Sequence, residues 1–184
     1  MFRYPISKVG PLIKPEDFKG LRIRVMENNI SIDAYNALGA SSTPMSFGEL
    51  YTSLQTGVVD ACENDLTTLY TQRFYEVTKY ISLVPVLPFT AALVISKKVW
   101  DSLSLDQQQA IEKSIPETVK TTNEAYSKME GEYLSKMKEA GIVVNEPENL
   151  QAFMNIEKKV WEKYLPKLLP FSQELAKEIL GDRL

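Results

Sequence analysis

Hydrophobic positions in the first third of the chain alternate between two periods, and this alternation predicts a βαβαβ unit. Short apolar runs with the two-residue period of strands end near Val25, Met45 and Cys62. Between them, apolar side chains recur at helical spacing over residues 30–38 and 47–54. Parallel strands joined by helices place their carboxyl ends at one sheet edge, where crevices bind small ligands. The pattern therefore predicts a small-molecule binder.

The rest of the pattern predicts irregular chain at the start and a very long helix later. Residues 1–20 contain three spaced prolines and are expected to be irregular. The uncharged apolar run 91–96 favours a buried strand. An apolar stripe over 105–140 predicts one long helix, bent at Pro116. At 1.5 Å per residue this helix spans roughly 50 Å, which exceeds one small lobe and suggests a bridge between two lobes.

Composition narrows the possible functions. The 184 residues carry a formal net charge of -3, which offers no basic field for nucleic acid. Histidine is absent, and with it the usual general base and the commonest zinc ligand, so catalysis is disfavoured. The acidic group Asp60, Glu63 and Asp65 lacks the dense oxygen spacing of a calcium loop. We therefore predict no enzyme activity, no metal site and no cofactor.

Three side chains at the predicted strand ends are candidates for ligand contacts, and each has a structural alternative. Arg24 offers a planar fork for a carboxylate, or it forms an ion pair with Glu27 or Asp60. Phe47 lies where a strand turns into a helix, so it packs on a ligand or contacts the core. Asn64 can donate and accept hydrogen bonds, yet it also suits the N-cap of the next helix.

Several motifs carry a resemblance to a known family. They lie at Pro15–Asn28, Thr43–Tyr51, Leu54–Asp60 and Glu63–Asn64. On these motifs the sequence resembles the periplasmic solute-binding proteins of tripartite ATP-independent periplasmic (TRAP) transporters, in the C4-dicarboxylate-binding group. The similarity covers essentially the whole chain, but it maps to the later part of a typical member. It implies that the opening portion of the first lobe is absent here.

The resemblance implies an α/β fold: a periplasmic-binding-protein-like, type II-like lobe with a βαβαβ sheet, a crossover strand and a long lobe-bridging helix. Residues 1–89 would form the ligand-binding unit of the second lobe. Residues 90–129 would be a remnant of the first lobe with the start of the bridging helix. Residues 130–184 would hold the rest of that helix and C-terminal helices packed on the second lobe.

The same resemblance implies a function without bond-making chemistry. The protein would capture an organic acid through its carboxylate and deliver it to a TRAP membrane permease. Arg24 matches the family arginine that pairs with the carboxylate, and Arg3 falls near a second one. Phe47 and Asn64 match the aromatic and amide contacts. A periplasmic location is implied, although residues 1–5 show no secretory signal.

Several questions stay open from sequence. A C4-dicarboxylate, a sugar acid and a monocarboxylate all satisfy one arginine fork. An effector-sensing or protein-interaction module is an alternative function, and an enzyme using Cys62, Glu63 or Asp60 is a weaker one. With its first-lobe neighbours absent, the 91–96 strand is expected either to pair with another chain, giving a strand-exchanged homodimer, or to be poorly ordered. Ligand binding by this chain is expected to be poor.

Overall fold

A seven-stranded mixed sheet organises the computed structural model, which describes residues 2–88, 90–170 and 172–174. The strands are β1 (Phe2–Ser7), β2 (Arg22–Val25), β3 (Ser41–Pro44), β4 (Ala61–Asn64), β5 (Tyr80–Ser82), β6 (Leu87–Pro88) and β7 (Val143–Asn145). The helices are α1 (Asn29–Ala37), α2 (Leu50–Thr56), α3 (Leu66–Thr71), α4 (Lys97–Ser102), α5 (Leu105–Glu139) and α6 (Leu150–Tyr164). The last ten residues of the predicted third segment, 175–184, lie outside the described residues.

The predicted βαβαβ unit is confirmed. Strand β2 lies between β3 and β4 and runs parallel to both, with α1 and α2 as the connections. The full order is β3-β2-β4-β1-β5-β7, with β6 paired to β1. Strand β1 is antiparallel to β4, so the amino end of β1 lies at the same sheet edge as the carboxyl ends of β2, β3 and β4.

The prediction that residues 1–20 are irregular is wrong for Phe2–Ser7, which form the central strand β1. Pro5 disfavoured a strand prediction here, because proline has no N–H to donate to a neighbouring strand of a sheet. On one side β1 pairs with β6 only through Phe2 and Arg3, and with β5 only through Ile6 and Ser7. Pro5 therefore falls in the gap between those two strands, where its missing donor breaks no ladder bond.

Two hydrophobic clusters cover the two faces of the sheet. On one face the sheet packs against α1 and α6, with a core that includes Ile23, Val25, Tyr35 and Phe153. On the other face it packs against α2, α3 and the end of α5, with a core that includes Ile6, Leu54, Cys62, Leu69 and Met137. Side chains at successive strand positions point to alternate faces, so neighbouring residues of β4 join different clusters, Ala61 the first and Cys62 the second.

The long helix predicted over 105–140 is confirmed as the 35-residue α5. Ser104 and Gln107 form the capping box at its start, and the helix continues through Pro116. Met137 is fully buried near its end, whereas residues 105–125 are mostly exposed. None of the helices within the described ranges combines the length and apolar character that crossing a membrane requires.

The prediction of a buried strand at 91–96 is wrong. These residues have no regular secondary structure and are exposed, with Leu93 at 74% and Val94 at 83% of full exposure. An apolar run shows that a segment is suited to burial, but it does not show whether a neighbour exists to bury it. In the described part of the chain, no strand pairs with this segment.

Candidate functional site

The carboxyl edge of β2, β3 and β4 brings three of the predicted residues to one side of the sheet. Arg24 is in register with Cys62, and Asn64 lies two residues further along β4. Because side chains two residues apart share a face, Arg24 and Asn64 project to the same face. Phe47 follows β3 directly, in a short 3-10 turn that leads into α2.

Arg24 is a buried cation without a carboxylate partner. Its side chain donates from Nε and Nη2 to the carbonyl oxygen of Met45, at 3.0 and 2.7 Å. The residue is 4% exposed, and burial lowers the pKa of its guanidinium. Within the described residues it forms no ion pair, so the alternative of a pair with Glu27 or Asp60 is wrong.

Asp60 instead pairs with Arg22. This residue lies on the same face of β2 as Arg24, two residues nearer the start of the strand. Arg22 donates from Nε to Oδ2 at 2.9 Å and from Nη2 to Oδ1 at 2.6 Å. This bidentate pair lies near the surface, with half of the Arg22 side chain exposed. The two arginines of β2 therefore differ in role: Arg22 is neutralised by its own chain, and Arg24 is not.

Asn64 keeps a donor available. It is 4% exposed, and its Oδ1 accepts a hydrogen bond from the Asp65 backbone N–H at 3.1 Å. Its Nδ2 donates to no group in the described part of the chain. The N-cap alternative is wrong, because α3 is capped by Asp65, whose Oδ1 accepts from the Thr68 backbone N–H at 2.9 Å.

Phe47 is partly exposed beside this face. Its ring packs edge-on against Phe74, with centroids 6.0 Å apart and an interplanar angle of 72°. The side of the ring away from Phe74 contributes to a residue exposure of 45%. Phe47 is thus anchored to the core through Phe74 and presents apolar surface at the sheet edge, as a ligand-packing residue must.

Arg3 lies at the same edge but on the opposite face, where it forms an ion pair with Glu63. Its Nε contacts Glu63 Oε2, and its Nη2 donates to the Glu63 carbonyl oxygen and Oε1, both at 3.3 Å. Both residues are buried. Sequence reasoning missed this pair, because the partners are 60 residues apart and β1 was not recognised as a strand. The ligand role of Arg3 stays a prediction.

The side chains considered for catalysis or metal binding are engaged or inaccessible. Cys62 is fully buried, and burial raises the pKa of its thiol, which disfavours the thiolate that a nucleophile needs. Asp60, Glu63 and Asp65 are occupied by Arg22, Arg3 and the α3 cap respectively. Across the described ranges, no three acidic or cysteine side chains are grouped to hold a metal ion.

A parallel sheet edge that carries a buried, unpaired guanidinium beside an amide and a partly exposed ring is typical of a binding protein for small anionic ligands. The chain belongs to the family of bacterial extracellular solute-binding proteins, family 7, whose model matches residues 3–167. The resemblance to the solute-binding proteins of TRAP transporters is confirmed. The predicted α/β fold class and its long helix are confirmed as well.

Individual relatives give the same assignment. The C4-dicarboxylate-binding periplasmic protein DctP of Rhodobacter capsulatus is 34% identical over 174 residues, which cover 95% of this chain and 50% of that protein. The sialic acid-binding periplasmic protein SiaP of Vibrio cholerae is 34% identical, with 84% of this chain and 48% of that protein covered. The structure of a TRAP periplasmic solute-binding protein of Sulfitobacter sp. NAS-14.1, solved with bound β-D-galacturonate, superimposes on this chain with a TM-score of 0.88.

That structure is 31% identical to this chain, and the match covers 96% of this chain and 58% of that one. The chain spans about half the length of the curated relatives it matches. Family 7 consists of transport solute-binding proteins. The named ligands of the relatives differ: a C4-dicarboxylate, sialic acid and a uronate.

Proposed function

We propose that this chain acts in an extracytoplasmic, periplasmic solute-binding protein that holds an organic acid by its carboxylate and delivers it to a TRAP membrane permease. Family membership supports the transport role, and relatives that carry periplasmic in their names support the location. The proposed role is binding and release, without catalysis. The proposed ligand contacts are Arg24, Asn64, Phe47 and, more weakly, Arg3.

The observation that carries this proposal is the unpaired charge of Arg24. A buried cation is costly unless a counter-charge and hydrogen bonds satisfy it. The Met45 carbonyl uses Nε and Nη2, and Nη1 remains for another acceptor. A ligand carboxylate at this position would add charge-assisted hydrogen bonds, typically worth about 1.5–3 kcal/mol net.

The charge balance of the site supports one carboxylate as the common feature of its ligands. Glu63 already neutralises Arg3, so Arg24 supplies the unbalanced positive charge. Asn64 offers its Nδ2 donor to a hydroxyl or a second carboxylate, and Phe47 offers apolar contact. A sugar acid, a C4-dicarboxylate and a monocarboxylate all fit this set, and the ligands named for relatives include the first two.

A calorimetric titration of the full-length protein with galacturonate, glucuronate, succinate and lactate tests the proposal. At least one acid is expected to bind, and Arg24→Ala is expected to weaken that binding by about 10- to 100-fold, as loss of about 1.5–3 kcal/mol requires. Arg22→Ala is the matched control, because Arg22 lies on the same strand and is already paired with Asp60. If the two variants lost equal ligand affinity, or if Arg24→Ala lost none, the assignment of Arg24 as the carboxylate-binding residue would be overturned.

We also propose a division of the chain into three segments. Residues 1–89 form the ligand-binding unit of the second lobe, residues 90–129 are a remnant of the first lobe with the start of the bridging helix, and residues 130–184 hold the rest of that helix and the C-terminal helices packed on the second lobe. The supporting observation is the change in burial along α5. Its end is packed on the sheet through Met137, whereas residues 105–125 are mostly exposed.

We propose, finally, that residues 91–96 mediate self-association of this chain. Exposed apolar side chains, and a backbone that pairs with no strand in the described part of the chain, are the features through which an extended segment adds to another chain. Leu93, Val94 and Ile95 are exposed in succession. This segment is distant in sequence from Arg24, so self-association and ligand binding can be measured independently.

A further inference from the structure

A narrow groove lies on the face of the sheet opposite Arg24, between α1, α6 and the chain at residues 86–87. Apolar side chains form nearly all of its wall, among them Ile30, Val86 and Trp161. In its enclosed part the centres of water-sized spheres have about 30 Å³ of room, and the empty space including open solvent at the mouth is about 330 Å³. Glu157 of α6 is the acidic residue in this wall.

Glu157 has no counter-ion. No hydrogen bond or ion pair within the described residues involves its carboxylate, and burial raises its pKa from 4.5 to about 7. Lys158 and Lys159 of α6 form no ion pair with Glu157. Lys163 of the same helix pairs with Asp33 of α1, which also accepts a hydrogen bond from Tyr164 at 2.6 Å. An ionised carboxylate among apolar walls is costly until a cation joins it.

Two tyrosines are the titratable groups near Glu157: Tyr164 lines the groove with it, and Tyr35 of α1 lies beneath in the core. The Tyr35 ring is fully buried, and its hydroxyl has no hydrogen-bond partner in the described structure. The Glu157 carboxylate is close enough to contribute to the raised pKa of Tyr35, after burial and Glu63. Residues 86–87 bring only apolar side chains. Among the described residues that line it, the groove therefore combines negative charge with apolar contact and includes no positive group.

We propose that this groove binds the terminal primary ammonium group of an aliphatic amine, with Glu157 as the counter-ion and Trp161 packed along the alkyl chain. A water needs about 10–15 Å³ of enclosed volume, so the enclosed space holds roughly an ammonium and one methylene. The rest of the chain lies in the open mouth, where an aromatic face also favours a cation. A trimethylated ammonium is too large for the enclosed part.

The site is tested with n-butylammonium chloride on the full chain carrying Trp100→Phe, which leaves Trp161 as its single tryptophan. Saturable change in Trp161 emission reports binding. Because only ionised Glu157 pairs with the ammonium, a pKa of about 7 makes it about 10% ionised at pH 6 and about 90% at pH 8. The apparent dissociation constant is therefore expected to fall about tenfold from pH 6 to pH 8.

Three comparisons decide the outcome. Glu157→Gln, which keeps the side-chain size, is expected to abolish saturable binding, and Glu162→Gln on the same helix is expected to leave it unchanged. Butanol and tetramethylammonium are expected not to compete, because the first lacks the charge and the second exceeds the enclosed space. Binding by butanol, binding that ignores pH, or binding retained by Glu157→Gln would each overturn the proposal. Arg24→Ala is not expected to alter this site.

Discussion

At the scale of single residues, two ion pairs of this protein show how burial changes what a pair contributes. Arg3 and Glu63 are both buried, so either one alone would be an uncompensated charge in the core. Arg22 and Asp60 have similar bidentate geometry, but the arginine side chain is half exposed. Water screens the second pair, and exposed pairs typically contribute less than about 1 kcal/mol.

We therefore predict that Glu63→Ala destabilises the protein by about 3–5 kcal/mol, since it leaves Arg3 buried without a partner. Asp60→Ala is expected to cost no more than about 1 kcal/mol. The double variant Arg3→Met, Glu63→Leu is expected to lose less free energy of unfolding than Glu63→Ala, because no charged side chain remains buried at this position. Urea unfolding at constant pH measures all three. Equal losses for Glu63→Ala and Asp60→Ala would contradict this explanation.

Among the candidate site residues, sequence reasoning placed Arg24, Phe47 and Asn64 at the correct edge, because strand ends can be read from the period of apolar residues. It did not find the Met45 carbonyl that orients Arg24, nor the Glu63 partner of Arg3. Those contacts depend on where backbone and side chains of distant segments meet. Asp65 was likewise missed as the α3 cap.

At the scale of secondary-structure elements, two glycines have opposite roles at helices. Gly131 lies inside α5, and a Cβ added there would meet no atom within 4 Å. Gly39 follows α1 with φ of +90°, and its added Cβ would lie 3.2 Å from Lys19 Cγ. The first glycine weakens its helix, whereas the second allows the chain to turn into β3.

Gly131→Ala is accordingly expected to raise the free energy of unfolding by about 0.5–1 kcal/mol, by reducing the freedom of the unfolded chain. Gly39→Ala is expected to lower it by about 1–2 kcal/mol, because a left-handed conformation is costly for alanine. Chemical denaturation with circular dichroism gives both values. If both substitutions changed the free energy of unfolding in the same direction, backbone conformation would not explain the effect of alanine at these two positions.

The elements themselves were predictable where their pattern was complete within one segment. Helix α5 and the βαβαβ unit followed from periodic apolar positions. Strand β1 did not, because prolines interrupt its pattern and its pairing partners lie about 55 to 85 residues away. The strand prediction for 91–96 was wrong for the opposite reason. Its composition suits a strand, but no strand in the described part of the chain pairs with it.

At the scale of the whole molecule, exposed large apolar side chains are more numerous after residue 90 than before it in the described part of the chain. Leu93, Val94 and Ile95 are exposed together, and Val119 is exposed on the outer half of α5. The formal net charge of -3 is too small to keep copies of the chain far apart. These features favour association between copies through the 91–96 segment.

Sedimentation velocity over a range of concentrations is expected to show a monomer–dimer equilibrium for this chain. Val94→Lys is expected to shift it to monomer, because a buried lysine in a strand pairing is unfavourable. Val119→Lys is the matched control, a charge placed on exposed apolar surface elsewhere, and it is expected to leave the equilibrium unchanged. A chain that stays monomeric at every concentration would refute self-association.

The sequence by itself determined the α/β class, the βαβαβ order, the long helix and the edge at which Arg24, Phe47 and Asn64 lie. Each of these follows from local periodicity and turn signals, which operate within about 30 residues. Only the tertiary structure decided that β1 is central and that Glu63 neutralises Arg3. It also decided that neither Arg24 nor Glu157 has an oppositely charged partner among the described residues. The physical reason is that the cost or gain of a charge depends on its burial and partners, which are set by contacts between segments distant in sequence.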